Sequence, residues 1–230
     1  MNTVIKKETI KRLIDDIKSI KKSPLTENGV YYSHCENDML KGYAMIIGQR
    51  DTPYAHGAYF FEFDFPKDYP YSPPKVTFLT KYGNIRFNPN LYRDGKVCVS
   101  ILNTWEGESW NSCETISTIL LHLMTLLCSN PMANEPYISK HNIENKLYNE
   151  VIEYTNIDVA VIRMISRECF PEKYIPLFYE TYYEYFANNR EEISDFVISK
   201  INAPKMITIT FYEMKVLVDY LDLKRRLDSI

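Results

Sequence analysis

Apolar residues at the start of the chain keep helical spacing. Ile10, Leu13, Ile14 and Ile17 follow the i, i+3, i+4, i+7 template, which predicts a helix over about residues 6–21 that Ser23-Pro24 ends. The period then changes to two. Val30–His34, 41–48 and 57–65 read as strands. In the third, Tyr59, Phe61, Phe63 and Phe65 share one face while Phe60, Glu62 and Asp64 take the other. Short connectors such as residues 49–52 predict an antiparallel meander. Residues 75–79 form a fourth predicted strand, entered through Tyr69-Pro70-Tyr71-Ser72-Pro73-Pro74, whose consecutive prolines hold the chain extended.

From 80 to 96 there is no apolar period, only Gly, Asn-Pro-Asn and Asp94-Gly95. A loop of that length inside compact chain points to function. It leads to Val97-Cys98-Val99-Ser100-Ile101-Leu102, after which Asn111 and Glu114 read as a capping box. The next helix carries Ile116, Ile119, Leu120, Leu123 and Leu127 on one side, with Leu121 and Met124 widening the apolar surface, so it is expected to be buried against a sheet. Further helices are expected at about 141–154, 156–169, 172–188, 190–202 and 211–227, with Pro171, Pro176 and Pro204 between them.

Composition sharpens this division. All seven glycines of the 230 residues lie in the first 107, so turn-rich chain precedes a Gly-free helical remainder. The longest apolar stretch, 116–127, is too short for the ~20 residues of a membrane span. The N-terminus lacks the apolar core expected of a signal peptide. A net charge of −3 gives no basic field for nucleic acid, although residues 1–22 hold seven Lys/Arg against three acids. That basic run reads as a solvated helix face or as a docking face for an acidic protein. Five widely spaced cysteines without CxxC argue against a disulfide framework or structural zinc and favour a reducing compartment, cytoplasmic or nuclear.

The search for chemistry narrows quickly. There is no GxGxxG or GxxxxGK[ST] phosphate loop and no GxSxG elbow. His34, His56, His122 and His141 are available to pair with a cysteine, but none has a local context that favours it. Cys98 stands apart because it closes a loop rich in Asn84, Asn88 and Asn90. On residues alone it is either a nucleophile or a small buried side chain.

The run Arg86-Phe87-Asn88-Pro89-Asn90-Leu91-Tyr92-Arg93-Asp94-Gly95-Lys96-Val97-Cys98-Val99-Ser100-Ile101-Leu102-Asn103-Thr104-Trp105 resembles the active-site segment of ubiquitin-conjugating enzymes. It is most similar to the subgroup carried in very large conjugating proteins of the BRUCE/apollon and hybrid conjugase–ligase type. Thr52-Pro53-Tyr54, the Tyr69-to-Val76 segment and Trp110 match further family motifs in order. The resemblance covers about residues 5–165. It implies an α+β fold: a helix, a four-stranded antiparallel meander, the active-site loop, then helices. A core over 1–168 would be followed by a helical extension over 169–230.

The resemblance also implies roles. Cys98 would accept ubiquitin, or a ubiquitin-like modifier, from an activating enzyme as a thioester and pass it to a lysine of a protein substrate, with or without a ligase and with no cofactor or metal. Asn90, at the family spacing before Cys98, would stabilise the oxyanion or hold the loop. Asn88, which replaces the family's His, and Pro89 would brace the loop, and Glu135 would be the acid beside the cleft. Lys11 and Arg12 match the helix that docks the activating enzyme. Tyr71 matches the first ligase-binding loop, and Ser112 stands where the second loop usually has Pro. Leu121 and Thr125 would face a folded-back ubiquitin. Two alternatives are a non-catalytic ubiquitin-binding variant, which would lack the cysteine, and a cysteine hydrolase, which would need a His beside Cys98. Tyr174, Phe178, Tyr179, Tyr182, Tyr183, Tyr185 and Phe186 form an aromatic run in the extension that reads as a packed cap or a docking surface. Richness in Ile, Asn, Lys and Tyr fits an AT-rich genome such as that of a protist or a large DNA virus.

Overall fold

The computed structural model describes residues 4–135 and 143–230, which fall into two compact units. Among the described residues the first comprises 4–46, 60–79 and 90–126, and the second 47–59, 80–89, 127–135 and 143–230.

The first unit opens with α1 (Lys7–Lys22). Its buried stripe is Thr9, Leu13, Asp16 and Ile20, whereas Ile14 is exposed. The face is turned from the expected one because Asp16 is partnered: its carboxylate accepts from Arg12 Nε at 2.9 Å and from the Tyr69 hydroxyl at 2.5 Å. A buried carboxylate is tolerated only with such partners. Four strands follow, β1 (Val30–His34), β2 (Lys41–Ile47), β3 (Ala58–Asp64) and β4 (Lys75–Phe78), in the order β1-β2-β3-β4. The β1–β2 and β3–β4 pairs are antiparallel, with Val30 opposite Ile46 and Phe61 opposite Phe78. In β3 the predicted alternation holds from Phe61 onward, but Ala58 to Phe61 are all buried, so that end of the strand is covered on both faces. Glu62 and Asp64 both pair with Lys41, at 3.4 and 2.5 Å.

Helix α2 (Ile116–Leu126) buries Ile116, Ile119, Leu120, Leu123 and Leu126, while Leu121 is exposed. The expected Asn111/Glu114 capping box is not formed. Thr115 caps instead: its hydroxyl accepts from the Thr118 amide at 3.2 Å, and the Thr118 hydroxyl accepts from the Thr115 amide at 3.3 Å. This is the reciprocal geometry of a capping box, with Thr in the place of Glu. Asn111 forms a local turn, its Oδ1 accepting from the Cys113 amide at 3.0 Å.

In the second unit α3 (Ile143–Thr155) continues without a break into a wide π-type stretch over Asn156–Ile162 and a last turn, α4 (Arg163–Ile165). The expected 141–154 and 156–169 helices are therefore continuous. Residues 141 and 142, including His141, lie outside the described residues. Asn156 earns its burial by bonding at both ends of its amide, accepting from the Tyr59 hydroxyl at 2.7 Å and donating to the Ala55 carbonyl at 2.8 Å. Gly57 permits this approach, since a Cβ there would lie 1.9 Å from Asn156 Oδ1. The expected 172–188 and 190–202 helices join as α5 (Glu180–Ser199), because the Asn189-Arg190 junction holds neither Gly nor Pro. Of the aromatic run, Tyr174, Phe178, Tyr179, Tyr182 and Phe186 are buried and Tyr183 is exposed, so it is mainly a packed cap.

The expected helix over 211–227 is corrected. The chain forms a hairpin, β5 (Lys205–Ile209) and β6 (Met214–Val218), and only then the short α6 (Tyr220–Asp228). Ile207, Ile209, Met214, Val216 and Val218 point inward, and Met206, Thr208, Lys215 and Leu217 outward. That is a period-2 pattern of largely β-branched residues. The turn is made without glycine, Glu213 taking a left-handed φ of 52°. The C-terminal part of the chain is thus α5, the β5–β6 hairpin and α6 in place of three helices.

Candidate active site

Cys98 sits in the first unit at the end of a loop pinned by short-range bonds. Gly95, at φ 99°, turns the chain where a side chain would be strained, and its carbonyl accepts from the Phe78 amide at 2.8 Å. Isolated bridges Thr77–Lys96 and Leu91–Val97 then fix the approach to the cysteine. The Cys98 amide donates to the Asn90 carbonyl at 2.8 Å, and Asn90 Nδ2 donates back to the Cys98 carbonyl at 2.7 Å. The Cys98 backbone is therefore bonded to Asn90 twice, once through the Asn90 backbone and once through its side-chain amide.

Thr104 closes the other side, a role the sequence reading missed. Its hydroxyl lies 2.8 Å from the Val97 carbonyl, 3.0 Å from the Val99 carbonyl and 2.9 Å from the Val99 amide. Its own carbonyl accepts from the Cys98 thiol at 3.0 Å. Thr is a residue that bonds nearby backbone in this way, and Asn103 before it, at φ 55°, marks the turn. Cys98 is only 2% exposed, so the thiol is held inward. A cleft of about 400 Å³ borders the loop, lined by Pro73, Lys75, Asp94, Lys96, Val97 and Thr104 among others.

The remaining first-unit residues take separate places. Arg12 donates to the Ser112 carbonyl at 2.5 Å and to the Glu114 carbonyl as well as to Asp16, so its guanidinium ties α1 to the segment before α2. Lys11 is exposed on α1. Tyr71 is 66% exposed, with the Lys6 ammonium 5.6 Å from its ring centre. Nearby, Trp110 Nε1 donates to the Pro70 carbonyl at 2.6 Å, and its ring lies 5.9 Å from Tyr69. Leu121 and Thr125 share the exposed side of α2 at i, i+4. Cys113 is exposed, and it and Cys35, Cys98, Cys128 and Cys169 are all free thiols.

In the second unit Asn88 is fully buried, its Nδ2 donating to the Tyr54 hydroxyl at 3.0 Å, and Tyr54 in turn donates to the Phe87 carbonyl at 2.7 Å. Burial pushes the Tyr54 phenol well up, so it remains a donor. Arg86 clamps the same stretch, donating to the Asn88 carbonyl at 3.1 Å and the Pro89 carbonyl at 2.5 Å. Glu135 is half-buried and accepts from the Tyr212 hydroxyl at 2.6 Å. His34 bonds Tyr32 at 2.7 Å and Met39 at 3.0 Å, and His56 bonds Tyr185 at 3.0 Å. Among the described residues, no group of three or more His, Cys, Asp or Glu is placed to hold a metal.

The chain is similar in sequence to known proteins. The chain is 41% identical over 165 residues to Ubiquitin-conjugating enzyme E2 Z of Xenopus tropicalis, which is 70% of this chain and 52% of that protein. It is 36% identical over 187 residues to the human Dual E2 ubiquitin-conjugating enzyme/E3 ubiquitin-protein ligase BIRC6, which is 75% of this chain and 4% of that protein. The relation to the hybrid conjugase–ligase subgroup therefore holds, alongside a higher identity to E2 Z. The solved structure of human Ubiquitin-conjugating enzyme E2 G1 is similar with a TM-score of 0.44 and 33% identity, over 50% of this chain and 90% of that one. The chain spans about half the length of the E2 Z relatives it matches. The family model of Ubiquitin-conjugating enzyme matches residues 12–160, which include both the four-stranded meander and the Cys98 loop. The chain belongs to the ubiquitin-conjugating enzyme family.

Proposed function

We propose that the chain carries ubiquitin as a thioester on Cys98. The Cys98 sulfur attacks the carbonyl of the thioester between ubiquitin and an activating enzyme, a new thioester forms, and the activating enzyme's cysteine leaves as the thiol. A lysine amine of a protein substrate then attacks the Cys98 thioester. The isopeptide bond forms, the Cys98 sulfur leaves, and the amine proton passes to a base, for which Glu135 is the assigned group. A thioester is reactive enough that orientation and oxyanion stabilisation matter more than strong activation.

The observation that carries this reading is the doubled bond between Asn90 and Cys98 in a segment that matches the family. It holds an amide donor beside the thiol-bearing backbone, and an amide never titrates. Loading must break the thiol's bond to the Thr104 carbonyl and turn the sulfur outward. Asn88 and Pro89 are assigned to bracing the loop. Lys11 and Arg12 are assigned to the activating enzyme, although Arg12 reaches it only with groups left over from its bonds to Asp16, Ser112 and Glu114. Tyr71 and Ser112 are assigned to a ligase, and Leu121 and Thr125 to ubiquitin. Residues 1–168 form the conjugating core in this reading and 169–230 an extension, and five free thiols suit a cytoplasmic or nuclear setting.

Incubation with activating enzyme, ATP and ubiquitin, followed by reducing and non-reducing gels, tests the proposal. A thiol-sensitive adduct that disappears in Cys98→Ala is expected. No adduct with ubiquitin or any related modifier would overturn it, and an adduct only with another modifier would redirect it to that modifier.

A further inference from the structure

The turn of the β5–β6 hairpin, far along the chain from Cys98, makes a set of contacts that converge on two parts of the proposed machinery. Tyr212 donates its hydroxyl to Glu135 Oε1 at 2.6 Å. Its ring lies 5.4 Å from that of Tyr148, and the Arg86 guanidinium stands 5.6 Å from its centre. The Glu213 carbonyl accepts from Asn84 Nδ2 at 2.8 Å, and the Met214 sulfur accepts from the Arg86 amide at 3.1 Å. Tyr148 completes the frame by donating to the Arg86 carbonyl at 2.7 Å. All of these groups belong to one compact unit. Arg86, so framed, is the residue that holds the Asn88 and Pro89 carbonyls.

We propose that Tyr212 is a positioning residue for Glu135, so that the C-terminal hairpin orients the acid on which lysine attack depends. This rests on the reading of Glu135 as that acid. A phenol that donates to a carboxylate fixes one of its oxygens and so sets the direction from which the carboxylate can meet the amine. Burial, with the Glu135 bond second, pushes the Tyr212 phenol far up, so it acts as donor and not as a competing base. Tyr148, Arg86 and the hairpin backbone hold the ring, so the hydroxyl reaches the carboxylate with little freedom left to lose.

The test uses the full chain, loaded with ubiquitin by activating enzyme and then mixed with free lysine over a range of lysine concentrations. Tyr212→Phe removes only the hydroxyl. It should load normally and discharge about fivefold more slowly at saturating lysine, with the KM for lysine unchanged. Glu135→Gln should slow discharge more strongly, and adding Tyr212→Phe to it should change nothing further. Met214→Leu, which alters the hairpin contact without touching the Tyr212 bond, should leave the saturated rate where it is. If Glu135→Gln discharges like the parent, the reading of Glu135 as the acid fails. If Glu135→Gln is slow but Tyr212→Phe leaves the saturated rate unchanged, the positioning role fails while that reading survives. Positioning is equally overturned if Tyr212→Phe slows the Glu135→Gln protein further, if Met214→Leu slows discharge as far, or if Tyr212→Phe loses loading and discharge together.

Discussion

The chain on either side of Pro89 is held in two different ways. On the Cys98 side the side-chain bonds around the cysteine are local, while the backbone at Gly95 and Lys96 meets β4: Asn90 to Cys98 spans 8 residues, Thr104 to Val97 spans 7, and Cys98 to Thr104 spans 6. On the Asn88 side they are long-range and run through buried tyrosines and the extension. Tyr54 to Phe87 spans 33 residues, Tyr148 to Arg86 spans 62, and Arg86 to Met214 spans 128. A loop stitched to itself can rearrange around one sulfur without disturbing distant packing. A segment anchored by remote phenols cannot, because moving it breaks several buried hydrogen bonds at once. In the proposed function the first segment is the one that must move during turnover and the second the one that must not.

Substitutions can break this contrast, and the largest effect is expected at Asn90. Asn90→Ala should leave loading largely intact and slow discharge to lysine by roughly a hundredfold, the usual consequence of losing one oxyanion donor. Equal discharge rates for variant and parent would remove Asn90 from the chemistry. Tyr54→Phe should do the reverse. It strips a donor from the Phe87 carbonyl and an acceptor from Asn88, both buried, and should lower stability by about 2–4 kcal/mol in denaturant titration. Discharge below the melting temperature should then stay near the parent rate, and a variant as stable as the parent would mean that the phenol is not the anchor.

The smallest effect is that of mild acid. Burial holds the His56 ring below the ordinary imidazole value, against the opposing pull of Glu192, and burial does the same to His34 against its bond to Met39. An unfolded chain takes up protons near the ordinary value of ~6.5 that the folded chain resists. The stability these rings contribute is therefore complete above that pH and lost as pH falls through and below it. Melting temperature should drop between pH 7.5 and 5.5, and His56→Gln should flatten the drop for the unit that contains the Asn88 anchor. A rise over that interval would contradict the sign.

How much of this was legible in the sequence follows the same contrast. Period-2 and period-3.6 patterns carried α1, β1 to β4 and α2, since each is decided by burial of one face. Cys98 and Asn90 are picked out by the resemblance of their segment to the family's, and the structure bonds the two residues to each other. What escaped was set by partners far along the chain. Asp16 is buried because Tyr69 and Arg12 meet it, which turns α1 away from the face its isoleucines suggested. The β5–β6 hairpin hid because its turn uses Glu213 in place of Gly and its strands are only five residues each. Tyr212, which bonds Glu135 across 77 residues, had no local signal at all.

The central claim is that Cys98, among five free thiols, carries the modifier. Replacing that one sulfur by oxygen tests it most directly. After incubation with activating enzyme, ATP and ubiquitin, Cys98→Ser should form an adduct that survives reducing agent but is cleaved by hydroxide, the mark of an oxygen ester. Peptide mapping should place the adduct at position 98. An adduct in Cys98→Ser that reducing agent still removes would put the thioester on another cysteine and contradict the account.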